Sequence, residues 1–334
     1  MNQSDIWKYC TPEHCRDMLL SFRLLGEKLP DDKVIACLYS VSNHTERHYK
    51  VIQIPKRDGT RRTLMVPDCL LKKIQKNILN HILSGFAVSS CATAYQKGTS
   101  VLKNASVHTG NRLVLKLDIK DFFGTISFPM VLGSVFSRKY FPLSVGTMLT
   151  SLCCCREFLP QGAPTSPAIS NLVMKPFDDY MKQWCGKQGI SYSRYCDDMT
   201  FSGDFLPGRV IRKVSDFLSV MGFSLNEEKT RILSCHRRQA VTGIVVNEKV
   251  QVSADYRRKL RQEVYYCLKF GVKSHLERTG RTELDSEKER RYLDSLLGKI
   301  RYLLYINPED AWFQEARERI SLLADSIKPS ETIV

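Results

Sequence analysis

The sequence predicts a mixed α+β fold in three consecutive parts. Alternating apolar residues over 49–55 and 112–118 are typical of strands, whereas the apolar spacing over 70–82 is typical of one helix face. From residue 253 onward the pattern indicates helices alone. The 334 residues are 43% hydrophobic, which is enough for a sizeable core in one large domain or two smaller ones. We therefore expect a basic mixed N-terminal part, an α+β centre and a helical C-terminal part.

The N-terminal part contains a predicted basic hairpin. Its strands run over 49–55 and 61–66, and Asp58 and Gly59 between them form a turn signal. Its cationic side chains are Lys56, Arg57, Arg61 and Arg62. Two interpretations stay open for this hairpin: a solvated edge ribbon, or a finger that reaches over a triphosphate or a template backbone.

The centre is predicted to combine helices, a proline-containing loop and strands. Two prolines and a glycine within 159–164 require a loop. The strand over 112–118 ends on Asp118, which is either a metal ligand or the N-cap of the helix that follows, and spacing leaves both open. The other predicted elements are helices over 128–138, 143–154, 166–184 and 209–221 and short strands over 230–233 and 241–246.

The tetrad Tyr195–Asp198, which reads Tyr-Cys-Asp-Asp, is the most informative feature of the chain. Apolar or aromatic-rich runs on both sides predict a tight hairpin with two carboxylates at its tip. Adjacent carboxylates repel each other unless a cation lies between them, and hard divalent metals prefer such oxygen ligands. If Asp118 lies nearby, the carboxylates of Asp118, Asp197 and Asp198 would lie close together in one site. Two Mg²⁺ ions about 3.5–4 Å apart serve phosphoryl transfer in such a site.

The net charge of +15 indicates a polyanionic partner, most simply nucleic acid. A membrane surface is disfavoured, because the sequence contains no apolar run of spanning length, no basic amphipathic helix with an aromatic anchor and no lipidation motif. Residues 1–9 lack the pattern of a signal peptide.

The 12 cysteines are scattered, and three of them are consecutive at 153–155. They include no Cys-x-x-Cys pair, which disfavours a zinc site. We interpret most of them as small core residues in a reducing compartment, and we expect a cytoplasmic location.

The first predicted C-terminal helix is strongly basic and carries tyrosines. Such a helix suits a nucleic-acid backbone, although a solvated helix face with core tyrosines is equally open. The residues concerned are Arg257, Arg258, Lys259, Arg261, Tyr265, Tyr266, Lys269 and Lys273.

The ordered motifs between residues 49 and 246 resemble those of reverse transcriptases, in particular the bacterial retron enzymes. The main stretches are LDIKDFF at 117–123, LPQGAPTSP at 159–167, YCDD at 195–198 and GFSLNEEKT at 222–230. NASVH at 104–108 and VTG at 241–243 are similar to two short elements of retron enzymes. Cys196 departs from the alanine of many relatives, and a small residue still fits there.

The resemblance implies a right-hand polymerase: an N-terminal extension and fingers over 1–110, an antiparallel-sheet palm over 111–252 with finger elements around 140–170, and a helical, RNA-recognising thumb over 253–334. It implies a polymerase that copies part of its own structured non-coding RNA into single-stranded DNA. Synthesis would start from the 2′-hydroxyl of a guanosine and give a branched RNA–DNA molecule, msDNA. Deoxynucleoside triphosphates, a nearby-encoded effector protein and antiphage defence follow from the same resemblance.

The resemblance also implies roles for individual residues. Asp118, Asp197 and Asp198 would bind two Mg²⁺ ions, and Lys229 would protonate or neutralise the leaving pyrophosphate unless it is an ordinary surface lysine. Phe123 would act as a steric gate against ribonucleotides, with a core aromatic as the alternative. The nucleotide-binding set is Arg62, Ile119, Phe123 and Gln161, with Lys56 and Arg61 as weaker candidates for the triphosphate.

The resemblance implies nucleic-acid contacts in two regions of the chain. For His108, a purely structural role is an equally open alternative. The residues are Asn104, His108, Thr242, Gly243, Arg257, Arg258, Lys259 and Arg261. Two rival functions remain at this point: an RNA–protein scaffold that restrains an effector, with catalysis secondary, and a non-retron reverse transcriptase.

Overall fold

The computed structural model describes residues 6–55, 59–280 and 285–327. The helices are α1 (Pro12–Ser21), α2 (Asp31–Asn43), α3 (Cys69–His81), α4 (Val101–Ser106), α5 (Phe122–Thr125), α6 (Phe128–Ser134), α7 (Leu143–Cys153), α8 (Ser166–Gly186), α9 (Pro207–Val220), α10 (Ala254–Phe270), α11 (Val272–Arg278), α12 (Ser286–Ile306) and α13 (Ala311–Ser326). The strands are β1 (Tyr49–Pro55), β2 (Arg61–Pro67), β3 (Leu113–Asp118), β4 (Ser191–Tyr195), β5 (Asp198–Gly203), β6 (Arg231–Ser234), β7 (Ala240–Val241) and β8 (Ile244–Val245).

The chain divides into two compact units that do not follow the order of the sequence. The first unit takes residues 1–100 and 113–232, and the second takes 101–112 and 233–334. This division differs from the expected boundaries near 110 and 252, because 101–112 and 233–252 group with the C-terminal helices. The assignment of fingers, palm and thumb stays a prediction.

An antiparallel sheet forms the centre of the first unit. Its strand order is β4-β5-β3-β6, with β5 paired antiparallel to both β3 and β4. Every residue of β3 and β5 is at least partly buried, and the end of β3 at Asp118 confirms the strand predicted to end there. The largest fully buried side chains of this unit include Phe136, Phe177, Phe201, Leu115 and Leu117.

The predicted basic hairpin is present as a two-stranded ribbon. Strands β1 and β2 pair antiparallel from Tyr49 with Pro67 to Pro55 with Arg61. Most of the β1 side chains are exposed, as are Arg61 and Arg62. Lys56, Arg57 and Asp58 lie outside the described residues.

A fully buried ion pair joins α8 to strand β4. The Arg194 guanidinium donates from Nε to Asp178 Oδ1 at 2.9 Å and from Nη2 to Asp178 Oδ2 at 2.6 Å, and neither side chain is exposed to solvent. Tyr192 on the same strand donates its hydroxyl to Asp178 at 2.8 Å. The pair is bidentate and charge-assisted, which makes it one of the stronger and more directional contacts a protein can form.

The second unit contains a short hairpin and the helices α10 to α13. Thr242 and Gly243 connect β7 to β8 in a two-residue turn, both with positive φ, of 46° and 84°. The single strand predicted over 241–246 is therefore wrong, because these two residues reverse the chain inside it. Backbone hydrogen bonds from Gly110 to Val246 and from Cys235 to Arg112 tie the segment 101–112 to this unit.

No helix in the described part of the chain is long and apolar enough to cross a membrane.

Replacing Asp178 by asparagine should destabilise the protein by about 3–5 kcal/mol, because Arg194 would keep a buried charge without its counter-ion. Asp179→Asn is the matched control, since Asp179 pairs with Lys175 at 3.1 Å on the exposed side of the same helix. That exposed pair should contribute less than about 1 kcal/mol. Urea unfolding followed by circular dichroism measures both, and equal midpoints for the two variants would contradict the role given to the buried pair.

Candidate functional site

The tetrad forms the tight hairpin turn that its sequence predicts. Tyr195 and Asp198 are paired across the end of β4 and β5, so Cys196 and Asp197 form a two-residue loop. Cys196 has a φ of 61°, an uncommon conformation for a residue other than glycine. Arg194 stabilises it by donating from Nη1 to the Cys196 carbonyl at 2.8 Å, and the Tyr95 hydroxyl donates to Cys196 Sγ at 3.3 Å.

Strand β3 brings the third carboxylate to the turn. Asp118 is the register partner of Asp198, so the two side chains lie on the same face of the sheet. The backbone of the next residue, Ile119, donates to the Asp197 carbonyl at 3.2 Å. Asp118 is not a helix N-cap, because the helix that follows begins at Phe122 and its N-cap is Asp121. The structure thus favours the site interpretation of Asp118 over the capping interpretation.

The segment 222–230 carries Lys229 to the same point. It runs beside the residues after β3: Lys120 donates to the Ser224 carbonyl at 2.9 Å, and Asn226 donates to the Asp118 carbonyl at 2.8 Å. A 3-10 turn over Glu227–Lys229 then places Lys229 Nζ 2.9 Å and 3.0 Å from the two Asp118 carboxylate oxygens. Lys229 is an exposed lysine whose ammonium contacts the carboxylate site at Asp118, and its role with the pyrophosphate stays a prediction.

The charges at this site act on one another. Burial raises the pKa of Asp198 above its usual range, and the neighbouring Asp197 and Asp118 carboxylates raise it further, while Lys116 and Lys229 oppose them. The hydrogen bond to Asp118 raises the pKa of Lys229, and all three carboxylates add to this effect. Two ammonium groups, those of Lys116 and Lys229, thus oppose three carboxylates, which leaves an excess of negative charge at the site.

The donor chemistry of the three aspartates fits a hard divalent cation, which prefers carboxylate oxygens. Within residues 6–55, 59–280 and 285–327, no three acidic, histidine or cysteine side chains are arranged as a ready-made metal cage. The Asp118 carboxylate accepts from the Lys229 ammonium instead.

The predicted nucleotide-contacting loop lies against the basic hairpin. Met65 on β2 donates its backbone N–H to the Gln161 carbonyl at 2.8 Å. Gly162 follows with a φ of 124°, and a Cβ on it would lie 2.8 Å from the Met65 carbonyl oxygen. Only glycine allows this approach, which brings the strand of Arg62 and the loop of Gln161 to one place. Arg62 is exposed and Gln161 is half-buried.

The residues after Asp118 include the predicted steric gate. Ile119 is buried, and its backbone pairs with Leu225. Phe123 is half-buried, and its ring lies 5.4 Å from that of the buried Phe122 in an edge-to-face arrangement. Phe123 also packs against the hydrophobic core, so its interpretations as a steric gate and as a core aromatic both stay open.

Comparison with known proteins agrees with this arrangement. The family model described as "Reverse transcriptase (RNA-dependent DNA polymerase)" matches residues 54–293, which contain all four residues of the carboxylate site. The chain belongs to the reverse transcriptase family. The match confirms the right-hand polymerase class, and the helices and antiparallel sheet of the structure agree with it.

Curated proteins similar to this chain include several retron enzymes. It is 34% identical to the "Retron Mx65 reverse transcriptase" of Myxococcus xanthus over 82% of this chain and 65% of that protein. It is 31% identical to the "Retron Ec86 reverse transcriptase" of Escherichia coli over 69% of this chain and 72% of that protein. Membership of the retron reverse transcriptases is thereby confirmed.

Among solved structures, the reverse transcriptase is similar to a telomerase from Candida albicans in complex with a fragment of telomeric RNA. The TM-score is 0.47, at 10% sequence identity over 82% of this chain and 63% of that chain.

The two retron-like elements of the second unit meet each other. The Asn104 amide nitrogen lies 3.5 Å from Thr242 Oγ1, and Thr242 donates its hydroxyl to the Val101 carbonyl at 3.2 Å. Asn104 and His108 are buried, with 1% and 0% of their surfaces exposed. The expected nucleic-acid contact of these two side chains is therefore not available in this conformation, and the structural interpretation of His108 is favoured. Thr242 is half-buried and Gly243 is exposed.

The predicted basic patch on α10 is exposed but partly engaged with the protein itself. Arg257 forms an ion pair with Asp310 at 2.7 Å, and Arg258 forms one with Asp255 at 2.9 Å. The Arg261 guanidinium lies 4.7 Å from the centre of the Trp312 ring, which is a cation–π contact. Lys259 is exposed. A role of this patch in binding nucleic acid stays a prediction.

Sequence reasoning missed the residues that support the site. Arg194 and Asp178 are buried charges, and Asn171 on the same helix accepts from Arg194 at 3.2 Å. A signal was present: Arg194 alternates with Ile190 and Tyr192 on the core side of a strand, and Asp178 follows the core residue Phe177. A charge on a core-facing position requires a buried partner.

The stability of the second unit should fall in mild acid because of His108. Burial lowers the pKa of His108 to about 4, below the value of about 6.5 expected in the unfolded chain. Burial therefore favours the neutral imidazole in the folded protein, and the free energy of unfolding decreases as pH falls through this window, by about 2 kcal/mol between pH 7 and pH 5. Thermal unfolding at several pH values should show this decrease, and His108→Gln should reduce it. A variant with the same pH dependence as the unmodified protein would exclude His108 as its source.

Proposed function

We propose that this protein is an RNA-directed DNA polymerase that copies part of a structured non-coding RNA into single-stranded DNA. The observation that carries the proposal is the carboxylate site: Asp118, Asp197, Asp198 and Lys229 come together from three segments in a chain of the reverse transcriptase family. The net charge of +15 supports a nucleic-acid substrate.

Asp118, Asp197 and Asp198 are the residues that would hold two Mg²⁺ ions. When bound, such ions lower the pKa of the attacking hydroxyl and neutralise charge on the leaving pyrophosphate. Asp118 and Asp197 are the stronger candidates, and the half-buried Asp198 beside them completes the oxygen donors.

The remaining site residues position the nucleotide. Arg62 would hold the triphosphate, because a guanidinium can donate two parallel hydrogen bonds to phosphate oxygens, and Gln161 would lie near the 3′-hydroxyl. The contact between their segments at Met65 and Gln161 supports their acting together. Ile119 would contribute its backbone beside the sugar. Lys229, already held at the carboxylates, would stabilise or protonate the pyrophosphate.

The finer proposal concerns the start of synthesis and the purpose of the product. Membership of the retron reverse transcriptases supports priming from the 2′-hydroxyl of a guanosine in the template RNA, which would leave a branched RNA–DNA molecule. On the same basis we propose a cytoplasmic complex with its RNA, its DNA product and an effector protein in antiphage defence.

Replacing Asp197 by asparagine should lower the rate of DNA synthesis by a factor of at least about 100, because the charge stabilisation supplied by a bound metal is lost. Asp216→Asn on the exposed face of α9 is the matched control and should keep normal activity. The protein is expressed with its native flanking DNA, and extracted nucleic acid is run on a denaturing gel before and after RNase treatment. A short DNA that shifts on RNase treatment and is absent for Asp197→Asn is the expected result.

Two other outcomes of this experiment have distinct meanings. Synthesis only on a supplied primer and template would indicate a reverse transcriptase that does not prime from its own RNA. No synthesis in either assay would favour the scaffold that restrains an effector and would contradict the proposed function.

Replacing Phe123 by alanine should lower the preference for deoxyribonucleotides over ribonucleotides by roughly 10-fold or more, because the ring that clashes with a 2′-hydroxyl is removed. Phe123→Tyr keeps the ring and should keep the preference. Single-nucleotide incorporation with each nucleotide type gives the ratio of kcat/KM values. An unchanged ratio together with lower stability would identify Phe123 as a core aromatic.

A further inference from the structure

The second unit has a small aromatic pocket at the junction of α10 and α11. Its volume is about 260 Å³, and it is lined by Tyr266, Phe270, His275, Arg278 and Thr279. Drug-sized ligand pockets typically span ~300–1,000 Å³, so this one suits a single flat ring system rather than a larger molecule.

The sequence builds this pocket through the turn between the two helices. Tyr266 and Phe270 are one helical turn apart at the end of α10, and His275 and Arg278 are one turn apart on α11, so each pair lies on one face of its helix. Gly271 is the single residue between the two helices, and its φ of 82° is a conformation that favours glycine. It allows α11 to begin directly after α10 in a new direction.

The pocket walls are aromatic and held in place. The Tyr266 and His275 rings are nearly parallel, at 18° and a centroid distance of 5.9 Å, and Phe270 lies 5.9 Å from Tyr266. The His275 ring is fixed from behind by a hydrogen bond of 3.1 Å between Nε2 and the Tyr292 hydroxyl. Phe270 is 42% exposed, so one large ring faces solvent at the pocket.

Cations flank the exposed ring. The Arg278 guanidinium lies 5.2 Å and the Lys269 ammonium 5.3 Å from the centre of the Phe270 ring. Aromatic cages for quaternary ammonium groups would be disfavoured by these positive charges. A flat ring attached to an anionic backbone is favoured instead, because it can stack on the aromatic wall while Arg278 and Lys269 approach its phosphates.

We propose that this pocket binds one unpaired nucleobase of a single-stranded RNA segment. This proposal rests on the proposed function and adds to it a site that recognises an unpaired nucleotide of the RNA. Stacking of a base on an aromatic side chain tolerates any base, so the pocket selects for an unpaired nucleotide and not for a sequence. A duplex keeps its bases stacked inside and cannot offer one to the pocket.

The test compares Phe270→Ala with unmodified protein in binding fluorescein-labelled octauridylate, octaadenylate and a blunt RNA duplex of the same length. Loss of one stacking contact should weaken binding of both single strands by roughly 5- to 30-fold, with little change for the duplex. The salt dependence of binding should stay the same, because no phosphate contact is removed. Phe270→Tyr should restore the affinity. Tyr305→Ala, at an aromatic residue of α12 that is 49% exposed, is the matched control and should bind like the unmodified protein.

Each alternative outcome overturns the inference in a recognisable way. If Phe270→Ala binds single strands with unchanged affinity, the pocket does not bind a nucleobase. A side chain of a partner protein would then be the ligand to test. Equal losses for single strand and duplex, with a changed salt dependence, indicate a general loss of charge contacts or of folding. DNA synthesis by the unmodified protein on a supplied primer and template is measured alongside. If the unmodified protein makes no DNA, the proposed function is contradicted. If it makes DNA but Phe270→Ala binds single strands with unchanged affinity, only the proposed base pocket is contradicted.

Discussion

The buried ion pair of Arg194 and Asp178 is the constraint on which the carboxylate site depends. A guanidinium without solvent requires a counter-ion and acceptors for its remaining N–H groups, and α8 supplies both through Asp178 and Asn171. The Nη1 donor is directed to the carbonyl of Cys196, in the turn itself. The same cation that joins helix to strand therefore also fixes the turn that carries Asp197. Directional hydrogen bonds set the position of this turn more tightly than apolar packing does.

Much of the site could be predicted because its signals are local. The strand ending on Asp118, the hairpin of the tetrad and the glycine-containing loop at Gly162 each follow from a short pattern, and an ordered series of such patterns is specific. The Arg194–Asp178 pair could not be assigned from sequence spacing, because its two residues lie on separate elements. Any other buried acidic residue could equally have been the counter-ion of Arg194. The turn at Thr242 was missed for another reason: a β-branched residue with positive φ contradicts its own backbone preference.

The contact between Asn104 and Thr242 gives the two retron-like elements a structural meaning. Thr242 adopts a conformation that is unfavourable for threonine, and its hydroxyl compensates by donating to the Val101 carbonyl while lying beside the Asn104 amide. The segment 101–112 is thus part of the second unit although strand β3 of the first unit begins directly after it. Two short motifs whose contacting residues are 138 positions apart therefore form one local structure.

The exposed hairpin has a consequence for the behaviour of the free protein in solution. Val51, Ile52 and Ile54 present apolar side chains to solvent on a two-stranded ribbon. Within the described residues the outer edge of β1 pairs with no other strand, whereas the outer edge of β2 contacts the Gln161 loop at Met65. Such edges favour association between copies of a chain, and mutual repulsion at a net charge of +15 counteracts it. High salt, which strips bound nucleic acid, also screens that repulsion to a range of about 3 Å at 1 M. The colloidal stability of the purified protein should therefore be lowest under the conditions that best remove its RNA.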